Sequence, residues 1–173
     1  MNKDLSLWLA NLPRLIKISL LMESPAALPY RPGALILTLA CYLMVGFIAL
    51  GSKYPLPAIF AQVLTEVLIL GAISYLLLRI KGKLLRFVQT LYALIGVNLV
   101  ISLISLLVLQ VLAPGGEIEA DSWLVKAQLL ILLWNLAAVS LVFQRAFEIP
   151  TMLAAFAAFN YLLLYEFLLL NIF

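Results

Sequence analysis

The residues best able to do chemistry in this sequence are polar side chains embedded in long apolar runs. Glu66 lies near the middle of one run, with Gln62 one helical turn before it. Asn98, Asn135 and Asn160 lie near the middles of three other runs. A helix in lipid satisfies its own backbone hydrogen bonds, so an embedded polar side chain needs a separate reason to be there. Such side chains therefore indicate contacts between helices or a functional site. We predict that these five residues form one buried polar layer.

Two interpretations of this layer stay open. Asparagine side chains hydrogen-bond between membrane helices and contribute about 0.6 to 2 kcal/mol each, and a protonated Glu66 can do the same. Alternatively, Glu66 has a functional role, because ionisable residues in the middle of a membrane are rare and usually mark functional sites. Glu66 would then be a proton or cation site, or a contact to a partner subunit.

Enzymes and metal proteins have little support in this sequence. It has no histidine, and its only cysteine is Cys41. One cysteine cannot form an internal disulfide, and no Cys/His cluster exists to hold zinc or haem. The embedded serines have no base beside them in a recognisable pattern. We therefore expect no catalysis, no cofactor and no metal site.

The composition predicts an all-α membrane protein. Of 173 residues, 66% are hydrophobic and 11% are charged, whereas about a quarter of a soluble domain is charged. A span needs about 20 apolar residues. Five runs meet that length, at 33–50, 56–78, 84–112, 123–143 and 149–173. We predict a five-helix transmembrane bundle over 33–173, preceded over 1–32 by an amphipathic segment and a proline-rich linker.

Residues 1–22 form an amphipathic pattern. One half of the helical wheel carries Arg14 and Lys17, and the other carries Trp8 with several leucines. This pattern is typical of a helix in the plane of the interface, where each basic residue attracts anionic headgroups by about 1 kcal/mol. A packed cytoplasmic helix without a lipid role is the alternative. We expect a break or kink at Pro13, and irregular structure over the three prolines of 23–32.

The basic residues predict the orientation. With the N-terminus in the cytoplasm, nine basic residues fall inside and only Lys53 and Lys126 fall outside. The acidic loop with Glu117, Glu119 and Asp121 also falls outside. Four basic residues form one cytoplasmic turn, and they either set the topology or bind lipid phosphates or an acidic partner. They are Arg79, Lys81, Lys83 and Arg86.

The last two runs meet at a second cytoplasmic turn, 143–150. Arg145 and Glu148 are three residues apart and are expected to pair there. Pro150 begins the last helix, where its missing N–H costs nothing. Near the outer side, Lys126 is long enough to reach Glu166 as an ion pair.

The final run contains the pattern Ala154-x-x-x-Ala158. Small residues at this spacing let two helices approach closely. This face either packs on a neighbouring helix of the same chain or forms an interface with a second copy.

Three features together resemble bacterial members of the Yip1-like family of five-span integral membrane proteins. These are the stretch Ser-Pro-Ala-Ala-Leu-Pro-Tyr-Arg-Pro at 24–32, the 143–150 turn before an alanine-rich span, and the layout of the whole chain. The resemblance implies a non-enzymatic role. Eukaryotic members of the family bind small GTPases and act in membrane traffic and shaping. The long cytoplasmic N-terminal region of those members is missing here, which leaves GTPase binding without support.

We therefore expect a non-catalytic protein of the bacterial inner membrane that organises the membrane or serves as an assembly or scaffold partner. Its expected partners are anionic lipid headgroups and a second copy or another membrane protein, and not nucleic acid. The alternative function is a small transporter or a proton- or cation-linked subunit that uses Glu66.

Overall fold

The computed structural model describes residues 3–51, 54–112 and 123–172. Lys53 and the predicted acidic loop lie outside these residues. The described chain contains six α-helices and no strand: α1 Lys3–Ser19, α2 Pro32–Leu50, α3 Leu56–Ile80, α4 Phe87–Leu112, α5 Trp123–Phe147 and α6 Thr151–Ile172. Helices α2 to α6 are long and apolar enough to cross a membrane. The predicted all-α class and the five apolar spans are thus confirmed.

Helix α4 is the centre of the bundle. It packs against α1, α2, α3 and α5, and every residue from Thr90 to Leu99 is buried. A helix that is apolar on all sides belongs in such a core. The polar residues that α4 carries at this depth are therefore placed between helices rather than against lipid.

Helix α1 packs against α2, α4 and α5. Trp8 Nε1 donates to Thr38 Oγ1 on α2 at 2.8 Å, and Trp134 Nε1 on α5 donates to the Ser19 carbonyl at 2.7 Å. Between these points the fully buried Leu15 lies over Gly96 of α4, where a Cβ would overlap Leu15 Cδ2. The absence of a side chain at Gly96 therefore permits α1 to approach α4 closely.

The expected break at Pro13 does not occur, since α1 runs unbroken from Lys3 to Ser19. Pro13 is exposed, while Leu15 on its C-terminal side is buried and Trp8 on its N-terminal side is hydrogen-bonded to α2. Both halves of the helix are therefore held against the bundle, which offsets the hydrogen bond that proline cannot make.

Three connections lie at one end of the bundle, here called the linker end: the α1–α2 linker, the α3–α4 turn and the α5–α6 turn. The helices that enter them all end in a Schellman motif, in which an N–H reaches back to the carbonyl five residues earlier. The three bonds are Met22 to Lys17, Lys83 to Leu78 and Ile149 to Gln144. Each motif contains one residue with a positive φ, in the left-handed region. This residue is a glycine only after α3, at Gly82; it is Leu21 after α1 and Glu148 after α5.

The α1–α2 linker is ordered against the linker end. It forms a short 3₁₀ turn at Pro25–Ala27, and Leu28 is buried. Gln89 Nε2 donates to the carbonyls of Ala26 and Leu28, and Arg14 donates to the carbonyl of Ala27 at 2.9 Å. The linker therefore fixes α1 to the start of α4.

Candidate functional site: a buried carboxyl cluster

Glu66 of α3 lies at the centre of the bundle and accepts three hydrogen bonds. Tyr42 on α2 donates to Oε2 at 2.5 Å. Tyr161 on α6 donates to Oε1 at 2.8 Å, and Asn98 Nδ2 on α4 donates to the same oxygen at 2.7 Å. Only 7% of Glu66 is exposed. The carboxyl group is thus surrounded by donors from three other helices.

Asn98 extends this network to the remaining span. Its Oδ1 accepts from Asn135 Nδ2 on α5 at 3.2 Å. The cluster of Glu66, Tyr42, Tyr161, Asn98 and Asn135, here called the Glu66 cluster, therefore contains one side chain from each of the five apolar helices. Buried polar groups that are hydrogen-bonded in this way specify how helices pack.

The prediction for Asn160 is wrong. Asn160 has the predicted depth on α6, but its side chain is exposed and donates to the Phe156 carbonyl of its own helix at 2.7 Å. The next residue, Tyr161, points into the bundle instead. Helix α6 is apolar on nearly every side, so its sequence gives the depth of a residue but not the face on which it lies.

Gln62 lies beside the Glu66 cluster rather than in it. Its Nε2 donates to the Tyr165 hydroxyl at 3.3 Å, and Tyr165 stacks on Tyr161 with 6.5 Å between ring centroids. The sequence prediction missed Tyr42, Tyr161 and Tyr165. Their positions could have identified them, because tyrosines in membrane proteins usually lie at headgroup level and these three lie well inside their spans.

A polar cavity adjoins Glu66 on the side away from the linker end. It has a volume of about 200 Å³, and Glu66, Gln62, Tyr42, Tyr165 and Ser102 are among its lining residues. A second cavity of about 650 Å³ reaches Asn135 and the start of α5. Both cavities are lined by Ala49, Leu50, Ser102, Ser105 and Leu109. We call the two together the far-end vestibule.

A second polar contact lies in the wall of this vestibule. Ser105 Oγ donates to Gln128 Oε1 at 2.8 Å, and Gln128 Nε2 donates back to the Ser105 carbonyl at 3.4 Å. This contact joins α4 to α5 nearer the opposite end. No group of residues able to hold a metal ion occurs in the described part of the chain.

The predicted pair of Lys126 and Glu166 is not among the ion pairs between described residues. Lys126 Nζ lies 5.3 Å from the centroid of the Trp123 ring. Lys126 is 21 residues before the end of α5 and Glu166 is 15 residues after the start of α6. At about 1.5 Å per residue these positions differ in depth by about 9 Å.

Glu148 pairs across two turns rather than within one. Its carboxylate contacts Lys83 Nζ and Arg86 Nη1, the latter at 3.2 Å, instead of the expected Arg145. The hydrogen bond and charge of Lys83 lower the pKa of this carboxyl, and Arg86 lowers it further. Helix α5 continues to Phe147, so Arg145 belongs to its last turn. Pro150 directly precedes α6, and its carbonyl accepts from the Ala154 N–H at 3.0 Å.

The six basic residues predicted to face lipid or a partner separate into two groups. Lys17 is exposed on α1, and Arg79 and Lys81 are exposed at the linker end. Arg14, Lys83 and Arg86 contact the Ala27 carbonyl or Glu148, so their first role is to hold the linker and the turns together.

Ala154 and Ala158 are both fully buried, and α6 packs closely on α5. Of the two interpretations of this small-residue pattern, packing within the chain is the one that the structure contains. The face is therefore covered without a second copy.

These features define a polytopic α-helical membrane protein whose spans are joined by one buried carboxyl cluster. No family model matches the sequence, and no curated protein and no solved structure matches it either.

Proposed function

We propose that this chain is a non-catalytic protein of the bacterial inner membrane, of Yip1-like type, that organises the bilayer around it. In this proposal the linker end faces the cytoplasm and the C-terminus lies outside, in agreement with the distribution of basic residues. Its partners are anionic headgroups at the linker end and a second copy or another membrane protein.

The docking of α1 is the observation that carries this proposal. Its contacts lie at Thr38, Gly96 and Trp134, which are six, nine and 13 residues from the linker-end termini of their helices. These separations correspond to about 9, 14 and 20 Å. Helix α1 therefore adds its cross-section to the bundle from the linker-end half to about mid-depth. Among the described residues no such helix lies on the opposite half, and an apolar groove of about 580 Å³ lies between α1, α2 and α4.

A bundle that is wider in one leaflet favours membrane curvature that puts that leaflet on the convex side. Three faces of α1 fit this role. Leu15 and Ile18 are buried against the bundle, Leu9 and Ile16 are exposed and apolar, and Lys17 is exposed and basic. An amphipathic helix held rigidly at this depth makes membrane binding sensitive to curvature and to anionic lipid.

The test is the density of purified protein in small and large anionic vesicles, with insertion direction measured by protease access. We expect enrichment in small vesicles for molecules whose linker end lies in the outer leaflet. Gly96→Leu should abolish this enrichment because the new side chain displaces Leu15. Gly71→Leu is the matched control, since a Cβ at Gly71 meets nothing within 4 Å.

Equal density of the wild-type protein in both vesicle sizes would contradict the proposal. So would enrichment of Gly96→Leu at the wild-type level, because a free amphipathic helix rather than the docked one would then be the cause.

A further inference from the structure

We propose that the far-end vestibule binds a small organic ammonium ion, with Glu66 as its counter-ion. This inference goes beyond the proposed membrane-organising function and does not depend on it. It depends on the charge of the vestibule, on its lining and on its volume.

The vestibule contains a buried acid without a basic partner. Glu66 is 7% exposed, and no lysine or arginine is among the described residues that line either cavity. The ion pairs between described residues belong to Glu148 at the linker end. The three donors around Glu66 stabilise negative charge without neutralising it. A buried carboxylate is normally paired with a cation, so a cation that enters the vestibule supplies the partner that the described lining lacks.

The remaining polar lining also favours a cation. Gln62 uses its Nε2 to donate to Tyr165, which leaves its carbonyl oxygen as an acceptor. Ser102 adds a hydroxyl to the same cavity, and Tyr42 and Tyr165 add aromatic rings. Tyrosine rings attract ammonium groups by about 0.5 to 2 kcal/mol. An anion would find no basic side chain among these residues.

Volume and apolar lining distinguish an organic ammonium from an inorganic cation. A bare cation needs a shell of about six oxygen ligands, whereas an ammonium ion needs only a few hydrogen-bond acceptors and can also contact aromatic rings. The cavity beside Glu66 measures about 200 Å³, and Val63 and Leu106 form part of its wall. An ammonium with a short alkyl chain can place its charge beside Glu66 and its carbons against these apolar side chains.

Calorimetric titration of the whole protein in nanodiscs with n-butylammonium tests the proposal, with protein-free nanodiscs as the blank. We expect saturable binding that sodium at the same ionic strength does not reproduce. Glu66→Gln keeps the size of the side chain and an acceptor for the cluster but removes the charge. It should weaken binding by about tenfold or more, and its thermal unfolding should confirm that the bundle is intact.

A second pair of variants tests access without touching Glu66. Ala49 lines both cavities, so Ala49→Phe should fill the passage between them and abolish binding. Ala40 lies on the same helix and is exposed, so Ala40→Phe should bind like the wild type. The proposal is overturned if the wild type shows no saturable binding, if Glu66→Gln binds equally well, or if the two phenylalanine variants behave alike.

Discussion

Glu66 joins α3 to three other spans through the hydrogen bonds that it accepts. Replacing it with leucine leaves the Tyr42 and Tyr161 hydroxyls and the Asn98 amide without their acceptor in a buried site. Each such group costs about 1 to 3 kcal/mol. We expect Glu66→Leu to lower the free energy of unfolding by about 3 kcal/mol or more, measured by denaturation in mild detergent. Glu66→Gln should lose much less unfolding free energy, because glutamine keeps an acceptor for these donors. Equal stability of the leucine and glutamine variants would contradict the role of Glu66 as the shared acceptor.

The two asparagines Asn98 and Asn160 provide a matched comparison at similar depth. Asn98 is 1% exposed and joins Glu66 to Asn135, whereas Asn160 is exposed and bonds only its own helix. Asn98→Leu should therefore cost about 1 to 3 kcal/mol of unfolding free energy, and Asn160→Leu should stay within about 0.5 kcal/mol of the wild type. The same denaturation assay measures both, and equal losses would refute the assignment.

At the scale of single residues, the sequence predicted well how deep a side chain lies in the bundle. It predicted poorly which way each helix is rotated about its axis, and so which side chains face inward. Counting along each apolar run placed Glu66, Asn98 and Asn135 together, because a helix rises by a fixed distance per residue. Rotation depends on which helices pack on which faces. The sequence of α6 lacks that information, so it predicts Asn160 in the cluster, where the structure has its neighbour Tyr161.

At the scale of elements, α1 shows what an amphipathic pattern can and cannot predict. The apolar and basic faces of α1 were visible in the sequence. The packing of Leu15 on Gly96 was not, because these two residues are 81 positions apart in the chain. Composition alone does not reveal that a particular glycine leaves room for another helix. The same limit applies to Pro13, which does not end the helix because the segments on either side of it pack against the bundle.

Cys41 offers a direct measure of this docking, since it is the only cysteine of the chain and lines the groove below α1 with Trp8 and Leu12. Displacing α1 uncovers it. We expect Gly96→Leu to accelerate the reaction of Cys41 with a membrane-permeant maleimide, measured by mass spectrometry over time. Gly71→Leu should react at the wild-type rate, and an unchanged rate in Gly96→Leu would mean that α1 remains docked.

The contact between the α3–α4 and α5–α6 turns should make stability depend on pH. Lys83, followed by Arg86, lowers the pKa of Glu148, so the folded protein binds the proton of this carboxyl less readily than the unfolded chain. The stabilisation is present above the ordinary glutamate value of about 4.3. It is lost as pH falls through the lowered pKa. Thermal unfolding of the wild type and Glu148→Gln should therefore converge at acidic pH and differ at neutral pH; a constant difference would contradict this account.

At the scale of the whole molecule, the number of spans followed from hydropathy, and their limits followed to within four residues. Long apolar helices are the main way for this composition to satisfy its backbone in lipid. The linker-end contacts of Gln89 with the 23–32 segment, and of Glu148 with Lys83 and Arg86, were not predictable in this way. They join turns that are far apart in sequence, and each turn alone also permits local pairing, as the incorrect assignment of Arg145 to Glu148 shows.

Orientation of the whole molecule is the property that charge predicts and that an experiment can decide directly. In a Cys41→Ser background, Lys81→Cys places a thiol at the linker end and Tyr54→Cys places one in the α2–α3 turn at the opposite end. Both native residues are exposed. With the linker end in the cytoplasm, a membrane-impermeant maleimide added to intact spheroplasts should label Tyr54→Cys and spare Lys81→Cys, while detergent-permeabilised spheroplasts should label both. The reverse pattern would place the basic turns outside, and then α1 would widen the outer leaflet instead of the inner one.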